Sequence, residues 1–267
     1  MSTADLFIGL LTSANTDSLC SFQILGSSLA KPGALNSEST LPLTQIRTSS
    51  TVAPIGCPIA ILSAIETFAL HRRVNAMFAL QIADAEYLKD TLHRLRSYDI
   101  AAWAMTIIVN DPIVPYMDLM QLGTIWRLSA EIYACHVLFY LTGDASILKP
   151  SLVDELIAEY TFLEREDDSL LKCLIWPTFI AGAATINQQR RPWVLKTLDR
   201  IWHIGYCANT RNAAMVLEGL WKKHDSINYK VMPLHNSSAT AEDFSVDHGP
   251  YNWLHELSLL DGSWLFI

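Results

Sequence analysis

The sequence is poor in charged residues for its length. Of its 267 residues, 17% are charged and 51% are hydrophobic, whereas soluble domains carry about a quarter charged residues on average. The formal net charge is −8, and neighbouring basic residues occur only as pairs. Because a surface that binds nucleic acid needs a basic stripe, the charge pattern argues against nucleic acid as a partner.

Cysteine is scarce and dispersed. The five cysteines lie far apart, and no two have the Cys-x-x-Cys spacing that is typical of structural zinc sites. An odd, dispersed set indicates buried free thiols in a reducing compartment. A glycine-rich phosphate loop is also missing. The sequence therefore predicts that the protein binds no metal and uses no cofactor.

Hydrophobic runs long enough to span a membrane are missing. Residues 48–65 are uncharged but rich in Ser, Thr and Pro, and the uncharged residues 173–189 are interrupted by Pro177, Asn187 and Gln188. Neither stretch has the composition of a spanning helix. No basic residue precedes Lys31, so a signal peptide is not indicated. We predict two buried helices, no membrane span and an intracellular, cytoplasmic protein.

Helical periodicity dominates the chain after residue 55. Residues 1–55 are rich in Ser, Thr and Pro, which predicts a loosely structured N-terminal arm with short helical pieces. Within residues 56–267, apolar residues recur at helical spacing, most clearly in a long helix at 117–143. Strand-like alternation is not found. We predict an all-α fold with a single domain of seven or more helices, and a polar loop at 226–250 that forms a lid or an insertion.

Four blocks of sequence carry a family resemblance. They are Leu174-x-Trp176-Pro177-x-Phe179-Ile180-Ala181-Gly182, then Arg191-x-Trp193, then Leu217 with Trp221, Lys222 and Asp225, and finally Trp253 near the end. In this order they resemble the C-terminal regulatory domain of fungal-specific zinc-cluster transcription factors, a family that includes the yeast sterol-sensing regulators. The resemblance implies an all-α fold, often a homodimer, with an apolar cavity that holds a sterol in the sterol-sensing members.

The DNA-binding half of that family has no counterpart here. Full-length members carry an N-terminal cluster of six cysteines beside a basic segment, whereas only Cys20 and Cys57 precede Pro58. If Met1 is the native start, the chain is not a DNA-binding transcription factor. We therefore expect the function to depend on what the cavity holds.

One face of the long helix supplies candidate site residues, because they recur at three- and four-residue steps. The candidate catalytic residues are His136 and Tyr133. The candidate substrate-binding residues are Trp126 and Tyr140 on the same helix, Trp176 and Thr178 in the uncharged stretch, and His255 near the end of the chain. The pattern fits core packing, and it also fits a pocket wall with polar groups for an apolar ligand. We expect Pro177 to break its helix locally, with Thr178 or a water satisfying a freed carbonyl.

Three functions are compatible with the sequence. The first is a cofactor-free cyclase or isomerase, such as a Diels-Alderase, of fungal terpenoid or polyketide secondary metabolism, in which conformational restraint supplies much of the rate. The second is a ligand-sensing regulator domain without its own DNA contact, which acts in the nucleus through a partner. The third is a fragment of an ordinary transcription factor. We favour the enzyme, with a terpenoid, sterol or polyketide as its apolar small-molecule partner.

Overall fold

The described part of the chain is built from α-helices. The computed structural model describes residues 15–31, 56–75, 81–110, 114–163, 168–185, 187–231 and 251–260. Within them the helices are α1 (Asn15–Leu29), α2 (Ile59–Asn75), α3 (Ile82–Arg96), α4 (Ile100–Asn110), α5 (Tyr116–Thr142), α6 (Ser151–Leu163), α7 (Ile175–Ala184), α8 (Arg191–Gly205), α9 (Ala208–Val231) and α10 (Trp253–Leu259). Segments of 3₁₀ helix cover Ala145–Ile147, Asp168–Leu174 and Gln188–Arg190. The all-α prediction is confirmed, whereas most of the predicted lid, residues 232–250, lies outside the described residues.

Helix α5 is the central element of the fold. It is 27 residues long, and 17 of them are buried, which is expected of a helix that is covered on all sides. It packs against α2, α3, α4, α6, α7 and α10. It ends at Gly143, whose φ of 72° is left-handed and whose N–H donates to the Phe139 carbonyl. This glycine stop is the one that the sequence predicts.

Most of the uncharged stretch, residues 173–189, forms the buried helix α7. A 3₁₀ segment leads into α7, and Pro177 is the third residue of that helix. We expected Pro177 to break the helix, and this prediction is wrong. Backbone N–H groups in the first turn of a helix make no intrahelical hydrogen bond, so a proline there removes none. Thr178 Oγ1 does donate to the Leu174 carbonyl, at 2.7 Å. Among the described residues, no helix combines the length and the apolar character that a membrane span requires.

Gly182 lets α7 approach α8 and α9 closely. A Cβ atom at Gly182 would lie 2.7 Å from Leu217 Cδ1 and 2.8 Å from Val194 Cγ1. The Trp221 indole nitrogen donates to the Gly182 carbonyl at 2.9 Å. Gly182 therefore serves close helix packing.

We expect Gly182→Val to lower the free energy of unfolding by about 1–3 kcal/mol, because the new side chain would overpack the crossing. Chemical denaturation measures the change. Gly219→Val on α9 is the matched control, since no atom lies within 4 Å of a Cβ placed there. If both variants lost the same free energy of unfolding, the close approach of the helices at Gly182 would not restrict the size of the side chain there.

Helix α1 belongs to the core, although the sequence analysis assigned its residues to the arm. Ile24, Leu25 and Leu29 are each 4% exposed or less, and the helix packs along α2. Two serines in the same stretch bond locally, Ser27 Oγ to the Ile24 carbonyl and Ser28 Oγ to the Leu25 carbonyl. Serines that satisfy their hydroxyls in this way can be buried in a helix. Composition alone placed them in a loosely structured arm with short helical pieces.

Candidate functional site

A buried polar cluster joins four helices at Ser28. The Ser28 carbonyl accepts hydrogen bonds from Arg72 Nη1 at 2.6 Å and from the Tyr133 hydroxyl at 3.0 Å. The Ser28 hydroxyl accepts one from the Trp176 indole nitrogen at 2.9 Å. Ser28 lies in the last turn of α1, where the carbonyl end of the helix dipole favours a cation such as the Arg72 guanidinium. The cluster thus ties α1 to α2, α5 and α7.

Three of the predicted site residues meet in this cluster as packed core. Trp126 stacks on Trp176 with ring centroids 5.7 Å apart, and Tyr133 meets the edge of Trp176, also at 5.7 Å. All three are exposed by 1% or less. Burial raises the pKa of Tyr133 to about 12, although Arg72 opposes the shift. The Tyr133 hydroxyl is therefore neutral and already used as a donor to α1.

Three further candidates belong to three different helices. Thr178 is fully buried, and its hydroxyl is 2.9 Å from the Tyr160 hydroxyl. Tyr140 is partly exposed, with the Arg72 guanidinium 5.9 Å from its ring centroid. His255 is exposed on α10, where its backbone N–H donates to the Asn252 side chain. None of the three lines the cavity described next.

A small cavity lies among α5, α6, α7, α9 and α10, beside the loop that joins α5 to α6. Its volume is about 60 Å³. Its walls are formed by Ile132, Cys135, His136, Leu148, Lys149, Pro150, Leu152, Val153, Ala183, Ala184, Thr185, Trp221, His224, Tyr251 and Trp253. Of the candidates from the sequence, only His136 lines it. Pockets for drug-sized ligands are typically 300–1,000 Å³, so the cavity in this structure does not enclose a terpenoid or a sterol.

His136 is a titratable group in this wall. Its ring packs against Trp253 with centroids 5.5 Å apart. Its Nδ1 atom is buried without a hydrogen-bond partner. Burial lowers the pKa of His136 to about 3, so the imidazole is neutral at physiological pH.

This low pKa predicts an acid-sensitive fold. Below pH 6.5, the ordinary pKa of histidine, the unfolded chain binds a proton at His136 that the folded chain does not bind until about pH 3. The contribution of His136 to the free energy of unfolding is therefore fully present above pH 6.5 and is lost as the pH falls. Between about pH 7.5 and about pH 5, we expect His136 to account for a loss of about 2 kcal/mol in unfolding free energy.

Denaturant unfolding at several pH values measures this loss. His136→Gln should remove this loss from the plot of unfolding free energy against pH. His203→Gln, at an exposed histidine on α8, should leave the loss unchanged. Parallel slopes in the wild type and in His136→Gln would contradict the assignment.

Most other polar groups of the wall already have partners. The Tyr251 hydroxyl donates to the Leu220 carbonyl at 3.0 Å, and Arg96 Nη2 lies 3.8 Å from Cys135 Sγ. Burial raises the pKa of Cys135 to about 11, so its thiol is protonated and a poor nucleophile. In contrast, Thr185 Oγ1 and Trp253 Nε1 are buried without a partner. No local pattern in the sequence predicts that these two residues are neighbours, because Thr185 follows α7 and Trp253 begins α10.

An ion pair fixes the helices beside the cavity. Arg191 on α8 makes two hydrogen bonds to the Asp225 carboxylate on α9, at 2.7 and 2.8 Å. The same guanidinium lies 5.3 Å from the Trp221 ring centroid. Hydrogen bonds from Arg191 hold the pKa of Asp225 well below its usual range. The Arg-x-Trp and Trp-Lys-x-x-Asp blocks of the sequence therefore form a clamp between two helices.

A second, more open groove lies between α2 and α3. Its volume is about 280 Å³, and Tyr87, Thr91, Arg94 and Tyr98 contribute to its walls. None of the predicted site residues lines it. Across the described residues, no group of three or more His, Cys, Asp or Glu side chains is placed to hold a metal ion.

The fold and the site define an all-helical domain with a buried aromatic and polar core and a small side cavity. The family model of the fungal specific transcription factor domain matches residues 17–255. The chain therefore belongs to this family, and the match includes α1 from residue 17 onward.

A curated relative is the acriflavine sensitivity control protein acr-2 of Neurospora crassa. The two sequences are 24% identical over 183 residues, which cover 66% of this chain and 28% of the relative. The matched part of the chain thus spans little more than a quarter of that protein. No solved structure matches the chain.

Proposed function

We propose that the chain is a ligand-sensing regulatory domain that controls transcription through a protein partner, and that it works in the nucleus. The observation that carries this proposal is the family match over residues 17–255, which covers α2 to α9 in full, α1 from residue 17 and α10 as far as residue 255. The relative's name refers to control of acriflavine sensitivity. By analogy, we propose that this chain takes part in a response to a small toxic molecule.

The buried cluster and the cavity support a binding role better than a catalytic one. Tyr133 and Trp176 are committed to hydrogen bonds with Ser28. The cavity is small, and the one titratable candidate in its wall, His136, is held neutral by burial. No observation at the site supports the cyclase hypothesis. A homodimer stays a prediction from the family resemblance.

A reporter assay tests the regulatory role. The whole chain is fused to an unrelated DNA-binding domain, and transcription is measured from a promoter that carries the cognate sites. We expect reporter output to change several-fold, up or down, relative to the DNA-binding domain alone. Trp176→Ala, which removes a core side chain, should return the output to baseline, and immunoblotting checks equal expression. Output equal to that of the DNA-binding domain alone would exclude the proposal.

A further inference from the structure

We propose that the cavity lined by His136, Thr185 and Trp253 is a binding site for a neutral, mainly apolar molecule that carries a carbonyl oxygen. This inference deepens the proposed function, on which it rests for its biological meaning, by naming the class of ligand that the domain senses. Binding is measured on the purified protein and transcription in cells. The failure of one proposal is therefore distinguishable from the failure of the other.

The cavity concentrates polar atoms that have no partner. His136 Nδ1, Thr185 Oγ1 and Trp253 Nε1 are all buried without a hydrogen bond, and all three residues belong to its wall. Buried polar groups in folded proteins nearly always have a partner. The Tyr251 hydroxyl and the Trp221 indole in the same wall do have partners, both of them backbone carbonyls. The three remaining atoms indicate a place where a bound molecule supplies the missing hydrogen bonds.

The chemistry of these atoms selects the ligand's polar group. An indole N–H can only donate, and a threonine hydroxyl can rotate to donate. A neutral imidazole donates from one nitrogen and accepts at the other. A carbonyl oxygen accepts two hydrogen bonds, so it matches the Trp253 N–H together with Thr185 or His136.

The electrostatics of the wall select a neutral ligand. The rest of the lining is mainly aliphatic and aromatic, and its one basic residue with a permanent charge, Lys149, is exposed beside Pro150. A charge buried without a counter-charge is strongly unfavourable. A carboxylate or an ammonium group would therefore find no compensation deep in the cavity.

The size of the cavity limits how much of the ligand it encloses. A volume of about 60 Å³ accepts a few heavy atoms, and it would also accept one or two ordered waters. Leu148 is half-buried, and Lys149 and Pro150 are exposed. We infer that the oxygen-bearing end of the ligand lies inside while its apolar remainder leaves past this loop.

Indole N–H signals in ¹⁵N NMR of the full chain provide the test, and Trp253→Phe identifies the signal of Trp253. The probes are 2-heptanone, a neutral ketone, and hexanoate, an anion with the same number of heavy atoms. We expect 2-heptanone to shift the Trp253 signal saturably. Hexanoate should bind at least about tenfold more weakly, because its charge is not compensated.

Variants separate a ligand site from a cavity that holds water. Thr185→Val keeps the side-chain shape, removes the hydroxyl and should weaken 2-heptanone binding about fivefold, the value of one hydrogen bond. Ala184→Leu should fill the space and abolish the shift. Thr106→Val, an exposed threonine on α4, is the matched control and should bind like the wild type. Near-ultraviolet circular dichroism checks that each variant is folded.

Two results would overturn the inference. The first is no saturable shift of the Trp253 signal up to the solubility limit of 2-heptanone, which would mean that the cavity holds water alone. The second is an unchanged shift in Ala184→Leu, which would place the binding elsewhere. Saturable binding together with an inactive reporter fusion would leave this site in place and remove the regulatory proposal.

Discussion

A chain that begins at residue 56 should lose the cooperative unfolding transition of the full-length chain. This truncation removes α1 and exposes the face of α2 that Ile24, Leu25 and Leu29 now cover. It also takes away Ser28, so that Arg72, Tyr133 and Trp176 lose the hydrogen bonds that they make to it. Large apolar side chains in a core contribute about 2–5 kcal/mol each, and a whole domain is stable by only about 5–15 kcal/mol.

Thermal unfolding followed by near-ultraviolet circular dichroism measures this loss. A chain that begins at Asn15 is the matched control, because it keeps α1 and Ser28. We expect the control to unfold in one sharp transition and the shorter chain to show none. If both chains melted with the same midpoint, α1 would be dispensable, as an N-terminal arm would be.

Trp176→Ala should lower the free energy of unfolding by about 3–5 kcal/mol, the range for removing a large aromatic side chain from a core. The indole is 1% exposed, stacks on Trp126 and donates a hydrogen bond to Ser28. Its removal leaves a cavity and takes away a buried donor. Denaturant titration measures the loss.

Trp202→Ala is the matched control for this variant. Trp202 is partly exposed on α8, with the Arg211 guanidinium 3.9 Å from its ring centroid, so its loss should cost much less. Trp176→Phe, which keeps an aromatic ring but not the N–H, should fall between the two. A Trp176→Ala variant as stable as the wild type would indicate that Trp176 lines open space and is free to contact a ligand.

Trp176, Gly182 and Arg191 thus belong to the helical scaffold. Trp176 holds α7 to α1 and α5, Gly182 admits α9, and Arg191 clamps α8 to Asp225. A block of this kind can mark a family without touching a ligand. The unpaired polar atoms that line the cavity belong to α5, to the end of α7 and to α10.

Periodicity predicted the elements that depend on local order. The long helix and its stop at Gly143 follow from apolar spacing and from the ease with which glycine adopts a left-handed conformation. Residues that share one helix face, such as Tyr133 and His136, nevertheless lie in different surroundings, since one contacts α1 and the other contacts α10.

The sequence by itself determined the helical class, the family and the absence of a charge pattern for nucleic acid, because spacing, motif order and composition are local properties of a chain. Only the tertiary structure decided that α1 lies in the core and that Ser28 collects three donors. It alone brought His136, Thr185 and Trp253 into one wall. These contacts join residues up to 148 positions apart, and such distant pairings depend on how helices pack, which no local pattern records.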